Sequence, residues 1–315
     1  MHNIAFVFPG QGSQCVGMLN ELANQYPLVK ELFTTASECL GFDLWHIVQH
    51  GPEEKLNQTK YTQVAMLVAD VAIYQIIQQQ ATISARMMAG HSLGEYAALV
   101  CAQAITFEQA VTLVAKRAQL MQDTVPAGLG AMAAIVGFSD DQVEALCEEV
   151  SLDNQIVSPA NYNAVGQVVI AGHYDAVVRA INQAHVIGAR LAKIIPVSVP
   201  CHCLLLTDTA RSFASELQKI EFNIPTVPVI SNVDLSIYNT VPQIKSLLAQ
   251  QLYSPVRWVE TIALMKENGV DVIIECGPGK VLSGLIKRID KSIRVITTND
   301  SASLDAGLIT VANCG

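Results

Sequence analysis

The chain has 315 residues, 51% hydrophobic, 15% charged and 6% aromatic, and its 28 acidic and 19 basic side chains leave a formal net charge of −9. Globular chains average about 25% charged residues, so a small polar surface encloses much apolar interior, which excludes a disordered or coiled-coil chain. The acidic balance argues against a nucleic-acid binder, and the longest apolar run, Ala127 to Phe138, is broken by three glycines and too short for a membrane span of roughly 20 residues. No Lys or Arg precedes the apolar Ala5 to Phe8, so no signal peptide is expected. Eight cysteines are scattered without a Cys-x-x-Cys pair, the pattern of free thiols in a reducing cytoplasm. The expectation is a soluble, cytoplasmic α/β enzyme.

Asn3 to Phe8 predicts a buried strand ended by the turn Pro9-Gly10-Gln11-Gly12. That turn lacks the third glycine of a dinucleotide fingerprint, because position 15 is Cys15, and it reads equally as an anion-lining loop or a plain turn. Val64 to Gln78 predicts a helix. Met87 to Ala89 then leads into Gly90-His91-Ser92-Leu93-Gly94, with a helix from Glu95 to Gln103 behind it. Gly-x-Ser-x-Gly between strand and helix is the pattern of a nucleophile elbow: the glycines relieve a strained turn, and the helix N-terminus can stabilise an oxyanion. An ordinary glycine-rich turn is the alternative. Thr106 and Gln109 have capping-box spacing and predict a helix to about Asp123. On it Arg117 shares an apolar stripe with Ala110, Val114 and Met121. A buried cation needs an anionic partner, and on spacing alone an internal Asp or Glu is favoured over an acidic substrate.

From Gly130 the pattern becomes strand Ala131–Val136, helix Asp140–Val150, strands Gln155–Asn161 and Gln167–Ala171, helix Tyr174–Val186 and strand Arg190–Ile194. This β-α-β-β-α-β order is that of a split βαβ unit and reads as an inserted small domain. Beyond it follow strand Val227–Ser231, helices Val241–Gln251 and Trp258–Glu267, strand Val272–Glu275 and the turn Gly277-Pro278-Gly279. Cys201-His202-Cys203 is poorly spaced to wrap a zinc ion, so no metal is expected. Of the histidines at or after the elbow (His91, His173, His185, His202), His202 on an interdomain loop is the candidate base for Ser92, against the alternative of an ordinary loop histidine.

The ordered set Phe8-Pro9-Gly10-Gln11-Gly12-Ser13-Gln14, Gly90-His91-Ser92-Leu93-Gly94-Glu95, Arg117-x-x-x-Met121-Gln122, Val197-x-Val199-Pro200-x-His202 and Gln251-Leu252-Tyr253-x-Pro255-Val256 closely resembles the malonyl-CoA:acyl-carrier-protein transacylases. The match runs to Glu275-Cys276-Gly277-Pro278-Gly279, nearly the whole chain. The resemblance implies an α/β-hydrolase-like core with a parallel sheet, residues 1–127 and 197–315, and a ferredoxin-like subdomain, residues 128–196. It also implies Ser92 as nucleophile, His202 as base, and the backbone carbonyl of Gln251 orienting the imidazole. The backbone N–H groups of Gln11 and Leu93 would form the oxyanion hole. Arg117 would pair with the free malonyl carboxylate, which reverses the expectation from spacing, and Gln63 matches an active-site glutamine. Malonyl would pass from malonyl-CoA through a Ser92 ester to the phosphopantetheine thiol of acyl carrier protein for fatty acid synthesis, in a cytoplasmic monomer without cofactor.

One departure is Cys201, where the family commonly has serine; it reads as a neutral swap or as a thiol-reagent target beside the base. An acidic carrier requires a local basic patch. Lys280, Lys287, Arg288, Lys291 and Arg294 supply one, with Lys280, Lys287 and Lys291 expected on one helical face, unless that face is merely solvated. A serine hydrolase would share the elbow but place its histidine late, and none follows His202. A silent carrier-binding subunit would have no need of Ser92, His202 and Arg117 together. A polyketide-pathway acyltransferase would use the same chemistry on another carrier.

Overall fold

β1 (Ile4–Phe8) is buried at every position, and its two-residue period sorts its side chains onto opposite faces of a sheet. Ile4, Phe6 and Phe8 enter one core, where Phe6 meets the Tyr74 ring edge-on at 5.1 Å, while Ala5 and Val7 enter a second core with Trp258, Ile262 and Leu285. This computed structural model describes residues 3–126, 128–197 and 199–312; Met1, His2, Ala127, Ser198 and Cys314, on which some expectations fall, lie outside the described residues. β1 lies between β2 (Ala85–Gly90) and β7 (Val272–Glu275), with β8 (Arg294–Thr297) beyond β7, all parallel. The apolar helix Thr59–Gln80 covers the first face, and helices Trp258–Glu267 and Val281–Ile289 cover the second. Among the described residues no helix is long and apolar enough to cross a membrane.

The second sheet is antiparallel. It contains β3 (Gly130–Val136), β4 (Val157–Ala164), β5 (Gln167–His173) and β6 (Leu191–Ile195) in the order β4-β5-β3-β6. Helices Asp140–Val150 and Tyr174–Val186 fall where the sequence pattern predicts them; the first begins at a capping box of Ser139 and Gln142. The two units join through backbone hydrogen bonds, Val256 N–H to the Ala160 carbonyl at 2.8 Å and Tyr162 N–H to the Val256 carbonyl at 2.9 Å. The structure is therefore mixed α/β, with one parallel and one antiparallel sheet.

Two local expectations are corrected. Val227–Ser231 is not a full strand: Pro228 has no N–H, and among the described residues only two backbone hydrogen bonds, Met88 N–H to Pro228 O and Ile230 N–H to Met88 O, attach the segment to β2. The basic residues near the C-terminus do not share one helical face either. Helix Val281–Ile289 leaves Lys280 as its N-cap, and Asp290 turns extended before Lys291 is reached. Lys287 and Arg288 remain exposed in the last turn, with Arg288 Nη1 donating to Gln167 Oε1 of the antiparallel unit at 2.6 Å.

Asp70 lies in helix Thr59–Gln80, wholly buried, and neither carboxylate oxygen has a hydrogen-bond partner. Burial, then the Glu275 carboxylate, raises its pKa well above the usual range. The folded state holds this proton where the unfolded state has lost it, so stability is greatest below the unfolded pKa and falls as pH rises toward the folded one. That slope is about 1.4 kcal/mol per pH unit. Asp70→Asn should therefore raise Tm, by more at pH near 8 than at pH near 5, in thermal melts across that range.

Candidate active site

Gly90-His91-Ser92-Leu93-Gly94 forms the junction between β2 and helix Gly94–Cys101, and Ser92 adopts φ 52°, a left-handed conformation costly for a residue with a Cβ. Close packing holds it there. A Cβ on Gly90 would come within 1.8 Å of Gly94 carbon, one on Gly94 within 2.0 Å of the Phe8 carbonyl oxygen, and one on Gly10 within 2.5 Å of the His91 carbonyl oxygen. The turn after β1 and the elbow thus interlock backbone to backbone. Asn232 completes the support: its Oδ1 accepts from Ser92 N–H at 2.7 Å and its Nδ2 donates to the Gly90 carbonyl at 2.7 Å.

Ser92 Oγ lies 2.8 Å from His202 Nε2. On the other side of the ring, Nδ1 lies 2.8 Å from the Gln251 carbonyl and 3.1 Å from the Ser254 carbonyl. Carbonyls only accept, so Nδ1 carries the hydrogen and Nε2 is free to accept the Ser92 proton. Among the described residues no carboxylate serves as the third member. Burial first, and the Arg117 guanidinium second, bring His202 down to about 3, so the imidazole is neutral at physiological pH. His91 faces elsewhere, with Nε2 2.8 Å from Asn163 Oδ1 and its ring against Trp258. His185 is exposed, and His173 lies at the end of β5.

Arg117 is 1% exposed on helix Phe107–Thr124, which starts at the expected capping box of Thr106 and Gln109. Its partners are neutral. Nη1 donates to Gln63 Oε1 at 2.7 Å, Nη2 donates to Gln251 Oε1 at 3.0 Å and more distantly to Ser92 Oγ at 3.4 Å, and Nε has no partner. The guanidinium also stands over the Tyr96 ring, 5.4 Å from its centroid. No ion pair among the described residues includes it. The internal pairing that spacing alone favoured is absent among the described residues, and a buried positive charge faces the cavity beside Ser92 without a neutralising carboxylate.

Gln11, Gln63, Ser92, Leu93, Arg117 and His202 line one cavity, with Gln251 directly behind them, so all seven expected site residues converge. The backbone N–H groups of Gln11 and Leu93 make no hydrogen bond to any other described group. Met132, Val169 and Ile195 of the antiparallel unit close the cavity from the opposite side. Cys201 also borders it, but its thiol bonds the Val199 carbonyl and burial raises its pKa to about 11, so thiolate is scarce at neutral pH. Three buried residues behind the cavity had no role in the sequence reading: Glu95, quoted there only within the elbow motif, and Asn232 and Tyr238, not singled out at all. Glu95, three positions after Ser92 in an apolar helix, carried a signal of burial; Asn232 and Tyr238 lie in a loop without pattern.

A model of the acyl transferase domain matches residues 5–303. The chain is 50% identical to the malonyl CoA-acyl carrier protein transacylase of Escherichia coli (strain K12) over 308 residues, 98% of this chain and 99% of that protein. It is 40% identical to the Bacillus subtilis (strain 168) protein of the same name over 311 residues, 99% of this chain and 98% of the relative. The structure of the malonyl CoA-acyl carrier protein transacylase from Coxiella burnetii superposes with a TM-score of 0.96 at 50% identity, covering 98% of this chain and 97% of that one. A malonyl-transacylase solved in complex with its type II PKS acyl-carrier protein gives a TM-score of 0.96 at 48% identity, covering 98% and 99%. The chain belongs to the acyl transferase family and, within it, to the malonyl CoA-acyl carrier protein transacylases.

Proposed function

We propose that this enzyme transfers malonyl from malonyl-CoA to the phosphopantetheine thiol of an acyl carrier protein through a malonyl-Ser92 ester, supplying malonyl carrier for fatty acid synthesis. The observation that carries the reading is a serine–histidine pair at 2.8 Å beside a buried arginine that amides, not carboxylates, hold in place. His202 Nε2 takes the Ser92 proton as Oγ attacks the thioester carbonyl. The free N–H groups of Gln11 and Leu93 receive the developing oxyanion. Collapse breaks the C–S bond, and His202 returns the proton to the departing coenzyme A thiolate. In the second half the carrier thiol gives its proton to His202, its sulfur attacks the ester, and Ser92 recovers the proton. Arg117 binds the distal malonyl carboxylate by charge-assisted hydrogen bonds, for which its planar fork suits better than a lysine ammonium.

The strand order β4-β5-β3-β6 supports a ferredoxin-like subdomain over residues 128–196, and the parallel sheet with its elbow supports an α/β-hydrolase-like core over 1–127 and 197–315. In this reading the enzyme works as a cytoplasmic monomer and needs neither metal nor cofactor, because serine, imidazole and backbone amides supply every step. The solved complex of a relative with a type II PKS carrier supports a polyketide carrier as the second reading.

Intact-mass spectrometry tests the transfer. Incubation with malonyl-CoA should add one malonyl group, localised to Ser92, which moves to a holo-carrier thiol faster than to water; rapid loss to water with no carrier product would indicate a hydrolase. Kinetics test the base. A protonated imidazole cannot accept the serine proton, so activity falls as pH drops through the folded pKa of His202, which lies at about 3. The kcat/KM for Ser92 acylation, measured at subsaturating malonyl-CoA so that it reports the free enzyme, should be flat from about pH 7 to about pH 5, and an acid limb near the ordinary histidine value of about 6.5 would contradict this.

A further inference from the structure

Glu95 is a fully buried carboxylate one turn beyond the nucleophile, and the proposed reaction gives it no role. Its Oε2 accepts from Gln251 Nε2 at 2.7 Å and from Asn232 N–H at 3.2 Å, and its Oε1 accepts from the Tyr238 hydroxyl. Each of its partners reaches the site. Gln251 sends its backbone carbonyl to His202 Nδ1, its Oε1 to Arg117 Nη2, and its Nε2 also to the Ser92 carbonyl at 3.0 Å. Asn232 holds Ser92 N–H and the Gly90 carbonyl.

The Gln251 amide can work in only one sense. Turned over, its oxygen would face the Glu95 carboxylate and the Ser92 carbonyl, and its NH₂ would face the guanidinium, setting acceptors against acceptors and donors against donors. Glu95 holds the amide in the productive sense. Interposing a neutral amide also lets a buried carboxylate support Arg117 without pairing with it, so the guanidinium keeps its charge for an incoming anion.

We propose that Glu95 is a positioning residue for malonyl transfer: through the Gln251 amide and Asn232 it keeps Arg117, the Ser92 turn and the His202 loop in one register. This rests on the malonyl-transfer reading and deepens it. Burial raises Glu95 to about 7, against the hydrogen bonds and the Arg117 charge that lower it. The register survives protonation: a hydrogen on Oε1 can be donated to Tyr238, leaving Oε2 to accept from Gln251 and Asn232.

Two substitutions separate reach from charge. Glu95→Gln keeps the length, since its NH₂ can donate to the Tyr238 oxygen while its carbonyl accepts from Gln251 and Asn232. Glu95→Asp keeps the charge but falls short by one C–C bond, about 1.5 Å. Single-turnover acylation by malonyl-CoA and acetyl-CoA should leave Glu95→Gln within about threefold of wild type for both donors. Glu95→Asp should lose roughly tenfold in kcat/KM for malonyl-CoA, with KM rising more for malonyl-CoA than for acetyl-CoA. If Glu95→Asp matches wild type, loses both donors equally, or exceeds Glu95→Gln, the positioning role is overturned. Should Glu95→Asp fail to fold, Gln251→Met, which keeps the backbone carbonyl and the volume, takes its place: the same malonyl-selective loss is expected, and an unchanged donor preference overturns the role. Wild-type enzyme is the control. If malonyl-CoA does not acylate it, the malonyl-transfer reading itself fails; if it is acylated normally while the variants keep its preference, only the role of Glu95 fails.

Discussion

A guanidinium almost wholly removed from water, held by two glutamine oxygens and one aromatic face, sets the terms for everything around it. Burying a cation without a counter-ion is costly, and a direct carboxylate would lower that cost while silencing the charge. The structure takes a middle course: Gln63 and Gln251 supply oxygen dipoles, and a buried carboxylate, Glu95, stands one amide away. The same positive charge, together with burial, keeps His202 deprotonated. In the proposed reaction one residue thus both receives the anionic acyl group and keeps the adjacent imidazole ready to accept a proton.

That arrangement depends on backbone packing as much as on side chains. Ser92 occupies its strained conformation because the elbow is wedged against the turn after β1, where glycine is the only residue without a clash. The wedge also brings Gln11 and Leu93, whose backbone N–H groups make no hydrogen bond to another described group, into the lining of the cavity that holds Ser92. Across the cleft the antiparallel unit contributes apolar walls, and Val256, bonded to β4, lies only a few positions beyond the Gln251 carbonyl that faces His202 Nδ1. Displacing the small unit would therefore disturb the base as well as the cavity wall.

Much of this was legible in the chain. The Thr106–Gln109 capping box, the alternation in β1 and the helices of the antiparallel unit follow from local patterns and appear where those patterns predict them. The inward-facing Arg117 could be seen from its stripe, but its neutral partners could not, since Gln63 and Gln251 stand 54 and 134 positions away. A carbonyl that orients a histidine leaves no mark in a side-chain pattern, so Gln251 came only from family resemblance. Val227–Ser231 misled because an apolar run suggests a strand even where a proline, Pro228, removes a donor. β8 escaped because it is a four-residue edge strand, mostly not buried, with no alternation to read.

In the proposed function the Arg117 charge is left without a carboxylate partner so that it can bind the free carboxylate of the acyl group. The most direct measurement compares Ser92 acylation by malonyl-CoA and by acetyl-CoA in wild type and in Arg117→Ala. Removing one partner of a buried, hydrogen-bonded charge pair should slow malonyl transfer by about a hundredfold, while acetyl transfer, which presents no carboxylate, is retained or raised. Equal losses with both donors would contradict the account and reduce Arg117 to a structural cation.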